Sequence, residues 1–146
     1  MNTYCVILAA GNSFRFKGSR NKLFYEINNT PLVVYTLKTF TSVFTKDKIF
    51  IVVNKGISKQ NIKLLNNYTN NDLIIGGKTR IESLKNFITS LNEKCNILIH
   101  DAARPNVNQV LIKKIKKEIE LMRYDAVIPF LEITDSLKIK INNKYK

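Results

Sequence analysis

Residues Tyr4–Lys22 read YCVILAAGNSFRFKGSRNK, and their reading decides the fold. The apolar run Tyr4-Cys5-Val6-Ile7-Leu8 stops abruptly at Ala9-Ala10-Gly11. A short, fully apolar run closed by small residues predicts a buried strand that feeds a loop. That loop carries Arg15, Lys17, Arg20 and Lys22. Small residues at a strand end let a ligand approach the backbone closely. Several cations on one loop suit a polyphosphate. The first expectation is a nucleoside triphosphate site, with the base near Ala9–Gly11 and the phosphates under Arg15 and Lys22.

Downstream of this loop, apolar runs alternate with helical patterns. Thr30-Pro31 predicts an N-cap with proline at the first helical position, opening a helix to about Phe44 with Leu32, Tyr35, Leu37 and Phe40 among its apolar positions. Lys48–Val53 reads as a second strand and Ser58–Tyr68 as a short helix. Leu73–Ile75 is a third strand, stopped by Gly76-Gly77. Thr79 and Glu82 have capping-box spacing for a helix to about Leu91. Asn96–Ile99 is a fourth strand, and Asn108 caps a helix through about Arg123, with Ile112, Ile115, Ile119 and Met122 at helical spacing. Ala126–Phe130 is a fifth strand, and Ser136–Ile141 alternates like a half-exposed one. This rhythm predicts an α/β fold: a doubly wound, Rossmann-like, mostly parallel sheet with helices on both faces.

At 146 residues the chain has the length of one domain, and 45% hydrophobic content supports a folded core. No apolar run approaches the roughly 20 residues that span a bilayer, so no membrane partner is expected. The N-terminus lacks a charged region followed by a long apolar one, and the two cysteines, Cys5 and Cys95, lie in strand-like contexts without CxxC spacing. Both features predict a cytoplasmic location. The net charge of +13 is spread along the chain, with no interleaving of aromatic and basic residues. It predicts attraction of small anionic substrates rather than a specific nucleic-acid partner. Lys138–Lys146 begins a hairpin-like pattern with Asn142-Asn143 at its turn and then stops, which predicts further protein beyond it.

Doubly wound sheets bind ligands beyond the carboxyl ends of strands, where strand order reverses. The first and fourth strands usually flank that point, so Ala10–Lys22 and His100–Pro105 (HDAARP) are expected to converge. Phosphoryl chemistry needs cations against the charge on the transferring phosphate and a carboxylate to hold Mg²⁺. Asp101 is the candidate ligand; its alternative is a turn-forming role. His100, the single histidine, reads as a packed structural residue and not as a base. There is no GxxxxGK[ST] and no GxGxxG after the first strand, which excludes a P-loop and a dinucleotide fingerprint. Gly76-Gly77 reads as a turn, or as bare backbone against a nucleobase with Ser83 nearby.

In order, LAAGNSFRF, Lys22, GGKTRIESL (Gly76–Leu84), IHDAARP (Ile99–Pro105) and TDSLK (Thr134–Lys138) resemble the 2-C-methyl-D-erythritol 4-phosphate cytidylyltransferases of non-mevalonate isoprenoid biosynthesis. The resemblance implies a nucleotidyltransferase that joins CMP from CTP to methylerythritol phosphate and releases pyrophosphate, with Mg²⁺ or another divalent cation. It implies that Arg15 and Lys22 stabilise the transition state. Ala9, Ala10, Gly11 and Asn12 match the loop that reads cytosine and cradles phosphate; Gly76, Gly77 and Ser83 match further cytosine contacts. Asp101 matches a metal ligand, and Arg104 and Ser136 match the polyol phosphate side. The chain departs from the family at Ser13, where glycine is usual, at Asn21, usually proline, and at Phe14, often basic. Lys78 stands where an acidic residue is common, and Ser136 where threonine is usual. Family members are longer and dimeric, so residues 1–146 are expected to form one C-terminally incomplete domain whose dimerisation arm starts near residue 136. The alternatives are a ribitol 5-phosphate cytidylyltransferase and a catalytically impaired CTP-binding fragment.

Overall fold

The computed structural model describes residues 1–11, 21–132, 140–141 and 144–145. Its centre is a parallel sheet of four strands, β1 (Asn2–Ala9), β4 (Ile49–Val53), β5 (Ile74–Ile75) and β6 (Cys95–Asp101), in the order β5-β4-β1-β6. A small antiparallel pair, β2 (Glu26–Ile27) and β3 (Thr30–Pro31), precedes α1 (Leu32–Thr41). The other helices are α2 (Lys59–Leu65), α3 (Arg80–Thr89) and α4 (Gln109–Glu120).

The layers follow from handedness. The chain steps from β1 to β4 to β5 in one direction, then returns past β1 to β6. Right-handed crossovers put helices of opposite step direction on opposite faces. Thus α1 and α2 share a face, and α3, the return crossover, covers the other. Strand alternation supplies both cores. Cys5, Ile7, Ile49, Ile51 and Val53 pack with Val33, Leu37 and Phe40 of α1, Leu65 of α2 and Ile112 of α4. Tyr4, Val6 and Val52 pack with Phe87 of α3. Fully apolar strands are what a sheet covered on both faces requires.

Three helices start where side-chain caps place them. Ser58 accepts from the Asn61 amide, Thr79 from Glu82 and Asn108 from Leu111. The box at α3 is shifted by one residue. The Glu82 carboxylate reaches back to the Lys78 amide at 2.7 Å, one position before the cap.

Two expectations change. Thr30-Pro31 does not cap α1 from inside the helix; both residues pair across a hairpin, Ile27 with Thr30 and Glu26 with Pro31. Asn28 and Asn29 form the two-residue turn at φ 50° and 57°. Positive φ at both central positions is the type I′ requirement, and asparagine tolerates it. The helix therefore starts at Leu32, whose amide donates to the Tyr25 carbonyl at 2.9 Å. Ala126–Phe130 forms no strand: Ile128, Phe130 and Leu131 are 80%, 83% and 92% exposed. The apolar run is present, but a strand needs a hydrogen-bonding neighbour, and this segment has none among the described residues. The pair β7 (Lys140–Ile141) and β8 (Lys144–Tyr145) is antiparallel, as the pattern around Asn142-Asn143 predicts. Among the described residues no helix is long and apolar enough to cross a membrane.

The turn assignment has a direct test in equilibrium urea unfolding. Asn29→Gly is expected to keep or slightly raise stability, whereas Asn29→Val should cost about 1–2 kcal/mol because a β-branched residue resists the left-handed conformation.

Candidate active site

Strand order reverses between β1 and β6, and the site assembles on the carboxyl ends of these two strands. Leu8 lies beside Asp101 in the parallel register, and the Ala102 amide donates to the Leu8 carbonyl at 3.0 Å. The loop after β6 is thereby held against Ala9-Ala10-Gly11. Three more bonds fix it. The buried Thr36 hydroxyl of α1 donates to the Ala102 carbonyl at 2.9 Å. The Arg104 amide donates to the Asp101 carbonyl at 3.1 Å. The His100 Nε2–H donates to the Arg104 carbonyl at 3.0 Å, the carbonyl being able only to accept.

His100 is a packed structural residue. Its ring lies 4.8 Å from that of Phe40, and burial pushes its pKa below the ordinary 6.5, against a smaller raising effect of the Arg104 carbonyl. Asp101 is the focus of the loop. Arg80 Nη2 lies 3.3 Å from its Oδ1, and Arg104 Nε lies 3.0 Å from its Oδ2. Both arginine side chains are well exposed, and such pairs contribute only about 0–1 kcal/mol each, so their value is in aiming the carboxylate.

The third loop follows β5. The Gly76 amide donates to the Val53 carbonyl at 2.8 Å, and a Cβ at Gly76 would fall 2.5 Å from the Ala10 Cβ and 2.7 Å from the Ser83 Oγ. Only glycine permits that approach. The buried Ser83 hydroxyl donates to the Thr79 carbonyl at 2.9 Å and accepts from the Gly77 amide at 3.1 Å. Ser83 therefore holds the glycine turn to the first turn of α3. The structure thus brings Ala10 to Gly76 and Ser83 on one side, and sets the end of β1 beside Asp101 and Ala102 on the other.

The sequence profile of the family described as 2-C-methyl-D-erythritol 4-phosphate cytidylyltransferase, IspD, matches residues 3–145. The chain belongs to this family. It is 41% identical to a bifunctional IspD/IspF enzyme of Pelagibacter ubique, over 100% of this chain and 39% of that protein. It is 34% identical to a 2-C-methyl-D-erythritol 4-phosphate cytidylyltransferase of Clostridium beijerinckii, over 96% of this chain and 62% of the relative. The 4-diphosphocytidyl-2C-methyl-D-erythritol synthase of Anaerococcus prevotii superposes with a TM-score of 0.78 at 25% identity, over 97% of this chain and 60% of that one. The chain thus spans 39% and 62% of the lengths of the two sequence relatives.

Within the IspD frame, Lys22 opens a 3-10 turn (Lys22–Phe24) whose Leu23 is buried beside Val33 and Val34 of α1. Asn21, in place of the usual proline, caps that turn by accepting from the Leu23 amide at 3.1 Å. Arg15, Asn12 and Ser136 lie outside the described residues, as do Ser13 and Phe14. Arg80 is the site residue that the sequence reading passed over. Its signal was present, an arginine at the first position of the helix that follows a glycine turn.

Among the described residues Asp101 is the single carboxylate at this site, and both its oxygens already meet guanidiniums. No group of three His, Cys, Asp or Glu side chains comes together among the described residues. One carboxylate suits a Mg²⁺ whose remaining ligands are substrate phosphate oxygens and water.

Two measurements test this local picture. Ser83→Ala strands the Gly77 amide and should cost about 1–3 kcal/mol in urea unfolding. For His100 the sign is fixed by its lowered pKa. The unfolded chain takes a proton near the ordinary 6.5 while the folded one stays neutral to lower pH. Stability should be flat above that value, fall as pH drops through it, and level off below the folded value. His100→Gln, which keeps a donor for the Arg104 carbonyl, should flatten that fall.

Proposed function

We propose that this chain is the nucleotidyltransferase part of a 2-C-methyl-D-erythritol 4-phosphate cytidylyltransferase. In this reading a phosphate oxygen of methylerythritol phosphate attacks the α-phosphorus of CTP, a new P–O bond forms, and the bond to the bridging oxygen of the departing pyrophosphate breaks. The observation that carries the reading is the meeting of three motif loops at the β1–β6 reversal, on a chain whose family profile runs from residue 3 to 145. Relatives over this stretch, such as those of Clostridium beijerinckii and Prochlorococcus marinus, are named for methylerythritol phosphate, which favours that acceptor over ribitol 5-phosphate.

The roles divide by loop. Ala9, Ala10, Gly11 and Asn12 receive the nucleotide against bare backbone. Gly76, Gly77 and Ser83 take the base. Ser83 has its proton committed to the Thr79 carbonyl, so its oxygen can offer a base only acceptor capacity. That selects the exocyclic amine of cytosine over the carbonyl that uracil carries there. Lys22 and Arg15 neutralise charge that grows on the transferring phosphate, and Arg104 and Ser136 take the polyol phosphate. Asp101 would hold a Mg²⁺, which supplies charge neutralisation at the triphosphate when bound.

Residues 1–146 form one nucleotidyltransferase domain in this reading, with a dimerisation arm from about residue 136. The two free cysteines suit the reducing cytoplasm.

The test is pyrophosphate release with CTP, Mg²⁺ and methylerythritol phosphate, alongside calorimetric CTP binding. Release is expected to need all three, and CTP to bind more tightly than UTP. Lys22→Ala should lower kcat by about 100-fold or more while CTP affinity changes little, because a transition-state contact is lost. A folded chain that binds no CTP would falsify the reading, and faster turnover of ribitol 5-phosphate would reassign the acceptor.

A further inference from the structure

Arg80 makes an ion pair that joins two separate loops of the site. It is the first residue of α3, which follows the glycine turn after β5. Its partner Asp101 ends β6. These strands are the two edges of the four-stranded sheet, roughly 14 Å apart at the usual interstrand spacing. The Arg80–Asp101 contact therefore links the start of α3, which packs over β4 and β1, to the carboxyl end of β6.

Its two ends are held differently. At one end, Arg80 sits in a helical turn tied to the glycine loop by the Ser83 bonds to Gly77 and Thr79 and by the Glu82 bond to Lys78. At the other, Asp101 already has a local partner in Arg104, three residues on in the same loop. Arg104 moves with Asp101 and cannot fix it relative to the base turn. Arg80 can, because it is anchored in a different element, the first turn of α3. The two guanidiniums engage opposite oxygens of one carboxylate, which sets the plane in which it lies.

We propose that Arg80 is a positioning residue for the nucleotidyl-transfer site. It ties the base-binding turn to Asp101, so that the carboxylate is aimed for a divalent cation only when that turn is in place. The inference rests on the function proposed above. A carboxylate that ligates a metal depends on the group that orients it, and loss of such a group typically costs about 10–100-fold in metal affinity.

The experiment is calorimetric titration of CTP into the 146-residue chain over a series of Mg²⁺ concentrations, and in EDTA. It compares the wild type with Arg80→Ala, Asp101→Asn and the double variant. Arg80→Met, which keeps the aliphatic stem and removes the charge, runs in parallel in case truncation disturbs α3. Either single Arg80 variant should raise the half-saturating Mg²⁺ concentration about tenfold or more, with CTP binding in EDTA unchanged. The double variant should behave like Asp101→Asn alone, since Arg80 acts through that carboxylate.

Equal losses with and without Mg²⁺ would make Arg80 a direct phosphate contact and overturn the inference. So would losses that add to those of Asp101→Asn, or a Mg²⁺ dependence that the Arg80 variants leave intact. Those outcomes leave the proposed function standing. A folded wild-type chain that binds no CTP at any Mg²⁺ concentration overturns both.

Discussion

The hydrogen bond from the Ala102 amide to the Leu8 carbonyl extends the parallel pairing of β1 and β6 just past the sheet. Everything at the site depends on this extension. Parallel neighbours point their carboxyl ends the same way, so loops that leave them must diverge or be held. Here they are held, and the loop HDAARP lies along the small residues that end β1. Thr36 from α1 clamps the same residue from the other side by bonding the Ala102 carbonyl. Ala102 is fully buried, and both its backbone groups are satisfied. A larger residue there would have to push against β1 or α1.

The glycine turn is built on the opposite principle, a side chain that is missing. Gly76 brings backbone to where a Cβ would strike Ala10 and Ser83. Ala10 is itself small, so two short side chains and one absent one let β1, β5 and α3 close together above the sheet. Ser83 then adds the polar bonds that such tight backbone needs. Shape comes from the small residues and rigidity from the hydroxyl. A flat base needs both, since it binds through its faces and through a few fixed donors and acceptors on its edge.

Much of this was legible in the sequence because it is encoded locally. Apolar runs of strand length, the helix caps at Thr79 and Asn108 and the glycine turn each rest on a few adjacent residues, and the site at the carboxyl ends of the first and fourth strands follows from the α/β rhythm. The misses have physical causes. The Asn28-Asn29 turn was obscured because Thr30-Pro31 fits a helix start equally well, and only the pairing with Glu26-Ile27 decides between them. Ala126–Phe130 carries strand chemistry, yet it has no hydrogen-bonding neighbour among the described residues. Arg80 was passed over because an arginine opening a helix does not name its partner, which lies 21 residues on. Long-range ion pairs leave no periodic trace.

The charge pattern separates what attracts a substrate from what organises a site. The net charge of +13 is a diffuse field, able to concentrate anions but not to aim them. At Asp101 the arrangement is local and balanced differently, with one carboxylate between two guanidiniums. Both oxygens of the carboxylate are partnered, and the exposed arginines keep access to water. Arg104 comes from the same loop as Asp101 and Arg80 from the start of α3, so the two guanidiniums tie two separate loops to one carboxylate.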